Sequence, residues 1–290
     1  MQRKLVQQGK HCFMAAIPKK WITQHDLKKG NLLEFEELDD CLLLSAKPIL
    51  QNKEFEVNIS GGDRDWIIRF LQMVYDYGLK NFKINFDSLK TMDNIRESMG
   101  WFEGMSITRV SQTSCTIEIA DTEYEINNYF RKIFMNTIEL SSVFTKYLSG
   151  KKDLESQISL LISSILHSSM VIKRKINTSH LPLKYKYYYF ISIQLEEITE
   201  QYMFLLKEIK EKKSVPGELL SLNKKLEQLF KETYFNFYKF DWDWYFNSHG
   251  GDIWKWFETK ESPSQVYHLR AISERIKNII KYSVGTNLDN

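Results

Sequence analysis

The 290-residue chain is poor in the residues that break or staple a fold, with five prolines, twelve glycines and three cysteines. So little proline and glycine excludes a collagen-like or low-complexity chain. Cys12, Cys41 and Cys115 are odd in number and show no paired spacing. That argues against a disulfide framework and against a zinc site built from two close cysteine pairs, and three ordinary reduced thiols are expected. Long apolar runs are missing as well. Met1 to Gln8 holds no apolar core of signal-peptide length, and the richest stretch, Ile158 to Ile172, is broken by Ser159, Ser163, Ser164, His167, Ser168 and Ser169. No stable membrane insertion is expected, and the compartment is read as the cytoplasm. An overall excess of one charge is absent too: 40 basic against 37 acidic side chains leave +3. As an average, that discourages a nucleic-acid coat.

What is present is uneven. Residues 1–30 hold Arg3, Lys4, Lys10, Lys19, Lys20, Lys28 and Lys29 against Asp26 alone, seven cations to one anion, or +6. Residues 31–120 hold nine basic and fifteen acidic side chains, or −6, and residues 121–290 hold 24 and 21, or +3. A basic head therefore precedes an acidic middle, and a nucleic-acid reading applies to the head only.

Residues 3–7 and 11–17 read as two short strands around Gln8-Gly9-Lys10. Pro18, at a first helical position, starts a short helix over Lys19 to His25. After the turn Leu27-Lys28-Lys29-Gly30-Asn31, a second strand pair, 32–36 and 41–44, spans Asp39-Asp40. A unit of about 45 residues is small for an isolated core, so dimerisation is expected. Residues 54–120 mix strands (54–59, 82–86, 105–110, 115–120) with a helix that places Trp66, Ile67, Phe70, Leu71 and Val74 on one face and a second helix over 92–99, as in a compact α/β module. From about residue 122 the pattern is helical. Ile191, Leu195, Ile198, Tyr202, Leu205 and Ile209, spaced 4, 3, 4, 3 and 4, form the seam of a packed helix. Further helices are predicted at about 124–149, 153–177, 217–246 and 263–284, with a short piece at 252–259 completing six elements in two triplets.

The order Arg3-Lys4, hairpin, Ile17-Pro18-Lys19-Lys20-Trp21, Leu27-Lys28-Lys29-Gly30-Asn31 and Glu34-Phe35-Glu36 resembles an AbrB-type swapped-hairpin domain, in the archaeal version fused to a PhoU-like helical domain. The resemblance implies an α+β multidomain chain: an AbrB-like DNA-binding and dimerisation head (1–50), an α/β linker module (51–121) and a PhoU-like six-helix bundle of two three-helix repeats (122–290). It further implies a homodimer that binds DNA and regulates transcription, linked to phosphate uptake or a related response, with the tail sensing a signal or binding a partner. Arg3, Lys4, Lys19 and Lys20 match basic positions of the archaeal pattern, and Lys10 and His11 on the hairpin turn can reach a phosphate. Where bacterial members carry a pair of arginines, this chain has Ile22 and Thr23. Independently of the resemblance, +6 on thirty residues becomes about +12 on a dimer, so DNA binding is expected to weaken steeply with salt through counterion release. Nothing here has the chemistry of a base-reading helix, and backbone contacts are expected to dominate. The alternative is an adaptor of transport or signalling that binds no DNA and uses the head as a dimer clasp.

PhoU-like repeats carry paired carboxylates that hold metal clusters. Glu196 and Glu200 in Leu195-Glu196-Glu197-Ile198-Thr199-Glu200 keep one such pair, one helical turn apart. In Ser273-Glu274-Arg275-Ile276-Lys277-Asn278 the second carboxylate is replaced by Asn278, and Leu160 to Ser169 contains no acid. Too few carboxylates remain to converge, so no metal or other cofactor is expected, and Glu196–Glu200 reads as a solvated helix face. Asp241, Asp243, His249 and Asp252 flank Gly250-Gly251 with a spacing that a polar turn explains. No nucleophile–base arrangement or phosphate loop is visible, so no catalytic residue is assigned. The 14% aromatic share is concentrated in residues 230–257, with thirteen rings in twenty-eight positions. It reads either as a thick core or as a partner, dimer or membrane-surface patch, with base stacking the last alternative because only Lys231, Lys239 and Lys255 are interleaved.

Overall fold

The computed structural model describes residues 2–10, 12–37, 42–46, 55–61, 63–120, 125–179, 181–212, 215, 217–247, 251–259 and 264–288. The chain divides into two compact units, Met1–Lys53 and Glu54–Asn290, in a mixed α and β architecture.

In the first unit, β1 (Val6–Gln7) pairs antiparallel with β2 (Phe13–Met14), Val6 opposite Met14. Gly9 turns the hairpin at φ 77°, in the left-handed region where a side chain is disfavoured. The helix α1 (Lys19–Gln24) follows. Pro18 is its N-cap, one residue earlier than expected, and its carbonyl accepts the N–H groups of Trp21 (3.0 Å) and Ile22 (3.2 Å). The strands β3 (Glu34–Glu37) and β4 (Leu42–Ser45) pair antiparallel, Phe35 opposite Leu44. The expected strands over 3–7 and 11–17 shrink to two paired residues each. Their apolar side chains have no core to lie on within one chain, since no residue before Ile67 whose side chain is described is buried.

The second unit opens with β5 (Phe55–Ile59), α2 (Arg64–Tyr77), β6 (Asn81–Phe86), α3 (Leu89–Met99), β7 (Met105–Val110) and β8 (Ser114–Ile119). The sheet order is β5-β6-β8-β7, with β5 parallel to β6 and the other pairs antiparallel. Alternation decides its faces. Phe82, Ile84 and Phe86 of β6 and Cys115, Ile117 and Ile119 of β8 are buried with Ile67 and Leu71 of α2 and Met92 and Ile95 of α3. Glu56, Lys83 and Asn85 lie on the other face, joined by hydrogen bonds of 2.7–2.8 Å. Trp66, expected on the buried face of α2, is instead 72% exposed, because the face that meets the sheet centres on Ile67, Leu71, Val74 and Tyr75.

The remainder is helical: α4 (Ile126–Leu148), a single 3-10 turn (Lys152–Leu154), α5 (Glu155–Thr178), α6 (Lys184–Lys212), α7 (Gly217–Tyr238), α8 (Trp242–Asn247), α9 (Gly251–Thr259) and α10 (Ser264–Thr286). All six seam residues of α6 are buried. Each contributes roughly 1.5–3 kcal/mol of hydrophobic burial. The single helix expected over 217–246 is two helices. Asp241 breaks it: its Oδ1 accepts the N–H of Asp243 (2.8 Å) and caps α8, while its own N–H donates to Asn236 Oδ1 (2.8 Å). Tyr202 stitches α4, α6 and α7 together. Its hydroxyl lies 2.9 Å from Ser141 Oγ and 2.8 Å from Asn223 Oδ1, and Asn223 Nδ2 donates to Ser141 O (3.0 Å). The α/β module joins the helices through α5. Arg174 donates to the carbonyls of Tyr75 (2.8 Å) and Leu79 (3.2 Å), placing a cation at the negative end of α2.

Candidate nucleic-acid interface

The basic head is built from turns that lift its cations away from the chain. Arg3 and Lys4 precede β1, Lys10 follows Gly9, Lys19 and Lys20 open α1, and all five are exposed. No acid occupies the first turn of α1 and Pro18 offers no side-chain cap, so two lysines face the positive end of the helix dipole without compensation. Anions approaching that turn meet only favourable charge. Leu27 N–H donates to Ile22 O (3.0 Å) across Asp26, whose φ of 52° closes α1 in a left-handed cap. A second turn follows, where Lys28 N–H donates to Asn31 Oδ1 (2.6 Å) and Asn31 N–H to Lys28 O (3.0 Å). Lys28 and Lys29 stand exposed there. His11, expected beside Lys10, lies outside the described residues.

The same unit exposes its apolar residues. Leu5 (70%), Val6 (57%), Phe13 (62%), Leu32 (92%) and Phe35 (62%) are open, while Trp21, Ile22, Leu27 and Leu33 are only half-buried. Cations and apolar side chains thus share a surface with no core beneath it.

In the helical region the two carboxylates of the Glu196–Glu200 pair part company. Glu200 is exposed, but Glu196 is not the solvated residue expected. Its Oε2 accepts from Ser169 Oγ and Lys173 Nζ, each at 3.0 Å, and its Oε1 from Gln72 Nε2 at 3.4 Å. Lys173, 6% exposed at its side chain, also pairs with Asp76 Oδ2 at 3.0 Å. One ammonium therefore bridges carboxylates from α2 and α6. Burial works against the charge of Lys173, but Glu196 and Asp76 outweigh it and raise its pKa. Burial pushes the Asp76 carboxyl up to about 6, only partly offset by Lys173. Sequence reasoning passed over Lys173 and Asp76, because a lone cation at the end of an apolar helix carries no periodic signal of its distant partner. Further along, Asn278 Nδ2 donates to Gln194 Oε1 (2.8 Å), and Arg275 stands 2.9 Å from Glu197 in an ion pair. No group of three His, Cys, Asp or Glu side chains able to hold a metal ion occurs among the described residues. His249 lies outside them, as does the side chain of Asp252.

The thirteen rings of 230–257 divide. Phe230, Phe237 and Phe257 are buried, Tyr234, Trp244, Tyr245, Trp254 and Trp256 pack against the helical core, and Phe240 is half-buried. Phe235 (69%), Tyr238 (49%), Trp242 (50%) and Phe246 (67%) are exposed. The core reading holds for the buried and packed rings, and the four exposed rings lie outside that core. No described helix is long and apolar enough to cross a membrane. No family model matches this chain, and neither a curated protein nor a solved structure matches it.

Proposed function

We propose that the chain is a dimeric, DNA-binding transcriptional regulator whose basic head contacts the phosphate backbone and whose helical region receives a signal or a partner. The observation that carries this reading is the head itself. Seven exposed cations accompany apolar side chains that, where described, are exposed or at most half-buried within one chain. A second copy supplies the missing core, and the doubled charge supplies the anion affinity. The sequence of elements, hairpin, short helix, hairpin, supports the resemblance to a swapped-hairpin head. The long helices that follow are compatible with a PhoU-like tail in which Lys173 holds the retained carboxylate Glu196. A link to phosphate uptake rests on that resemblance alone.

Titration of fluorescent duplex DNA by polarisation, at about 50 and 200 mM salt, tests the reading. Affinity is expected to fall steeply between the two. Lys19→Ala with Lys20→Ala should weaken binding about equally across sequences and lower the salt slope by about 4 per dimer, roughly one for each phosphate no longer neutralised. Absence of binding at low salt, or a titration unmoved by the double substitution, rejects it and leaves the head as a dimer clasp in a non-DNA-binding adaptor.

A further inference from the structure

One end of the helical region gathers charge and rings in a way the DNA-binding head does not use. The start of α4, the start of α6 and the end of α7 meet there: Phe130 stacks on Tyr188 (4.2 Å between ring centres), and both touch Phe237 (5.1 and 5.6 Å). The end of α10 joins them through Phe190 and Tyr282 (5.4 Å). These ring contacts seal the end from within. Outside them, Tyr238 lies within electrostatic reach of Arg131, and Trp242 and Phe246 project from α8, stacked on each other at 5.9 Å and both largely exposed. Exposed cations accompany the sealing rings along each helix: Arg131 and Lys132 follow Phe130 on α4, Lys184 and Lys186 precede Tyr188 on α6, and Lys281 precedes Tyr282 on α10. Against these five stand the exposed acids Glu125, Asp241 and Asp243.

We propose that this end of the helical region docks on an anionic bilayer surface, with Tyr238, Trp242 and Phe246 entering the headgroup layer and the lysines and Arg131 above it. Tryptophan and tyrosine favour that depth because one edge is apolar and the other polar. Juxtamembrane cations add attraction to acidic headgroups, about fivefold in partition for each. A nucleic-acid strand fits less well. Asp241 and Asp243 stand exposed on either side of Trp242 in the chain, placing like charge where a threaded phosphate backbone would run. Lipids diffuse laterally, so acidic headgroups gather under the cations and away from the two aspartates.

Flotation of the full chain with phosphatidylcholine vesicles, with and without about a third phosphatidylserine, tests this. Binding to the acidic vesicles alone, weakened by salt, is the expected result. Trp242→Ala with Phe246→Ala should lower partition about tenfold or more, and Lys184→Gln with Lys186→Gln about 25-fold. The lysine pair keeps the test decisive if the aromatic variant does not fold. Lys19→Ala with Lys20→Ala is expected to float as the parent does, and its loss of binding would move the activity to the head and overturn the proposal. Equal binding to neutral vesicles, or retention by both α6 and α8 variants, overturns it as well. So does displacement of vesicles by single-stranded oligothymidine, or self-association abolished by the same substitutions in a chain that binds no vesicles.

Discussion

Asp76 is the residue whose chemistry has the most direct consequence. Its folded-state pKa, raised from 3.8 to about 6 by burial, means the folded protein holds this proton more tightly than the unfolded chain does. The stability it contributes is fully present below about pH 4 and is lost as pH rises through about 6. Between about pH 7 and 5 the gain is about 1 kcal/mol. Unfolding free energies from urea titrations at those two values should differ by that much more in the parent than in Asp76→Asn; equal differences would show that the carboxyl titrates normally. Lys173→Met tests the other half of the pair. It leaves Asp76 and Glu196 facing each other without their cation, and a loss of about 3 kcal/mol or more is expected in the same assay. The sequence displayed Glu196 because it stands beside the seam, yet its burial was illegible, since what covers it arrives from α2 and α5.

At the scale of elements, legibility followed periodicity. Alternation along β6 and β8 and the 4-3 spacing of α6 each have one dominant apolar face, and the structure buries those faces. Where the apolar set exceeds one face, pattern loses its meaning. Trp66 falls at the edge of the face centred on Ile67, Leu71, Val74 and Tyr75, too far round the helix to point at the sheet, and the rings of 230–246 occupy every side of the helix and continue past the break at Asp241. The junction of α2 with α5 was invisible for another reason: it depends on a glycine. Gly78 ends α2 at φ 94°, and a Cβ there would collide with Thr178 Cγ2. Gly78→Ala should therefore cost about 2 kcal/mol, half from the left-handed backbone and half from the collision. A thermal double-mutant cycle with Thr178→Ser, which removes the offending methyl, should recover about 1 kcal/mol. Additive effects would deny the contact.

For the whole molecule, the contrast between the two units governs how it unfolds. The unit Glu54–Asn290 encloses two large apolar clusters, whereas Met1–Lys53 contributes no described residue to either. If a second copy completes the head, its stability depends on protein concentration and that of the larger unit does not. Calorimetry of the full chain over a hundredfold dilution should show one transition that moves down in temperature and one that stays. A single transition independent of concentration would refute an obligate dimer of the head. The charge split of +6, −6 and +3 was readable without coordinates, as were the helical class of the tail and the mixed class of the middle. The shortage of core in the head followed from its length, but which of its apolar side chains stay exposed did not, because burial is a property of what surrounds a residue.

The hydroxyl of Tyr202 settles a matter of register. An apolar seam spaced 4, 3, 4, 3 and 4 maps onto itself when α6 slides by seven residues, about 10 Å along its axis. Five of the six seam residues are aliphatic and would tolerate that shift with modest repacking. Tyr202 would not: moved two turns, it buries an oxygen away from Ser141 and Asn223 and leaves Asn223 Oδ1 without the hydroxyl that donates to it. One polar atom thus breaks the translational degeneracy of an otherwise repetitive helix, acting as the index mark that admits a single alignment of α4, α6 and α7.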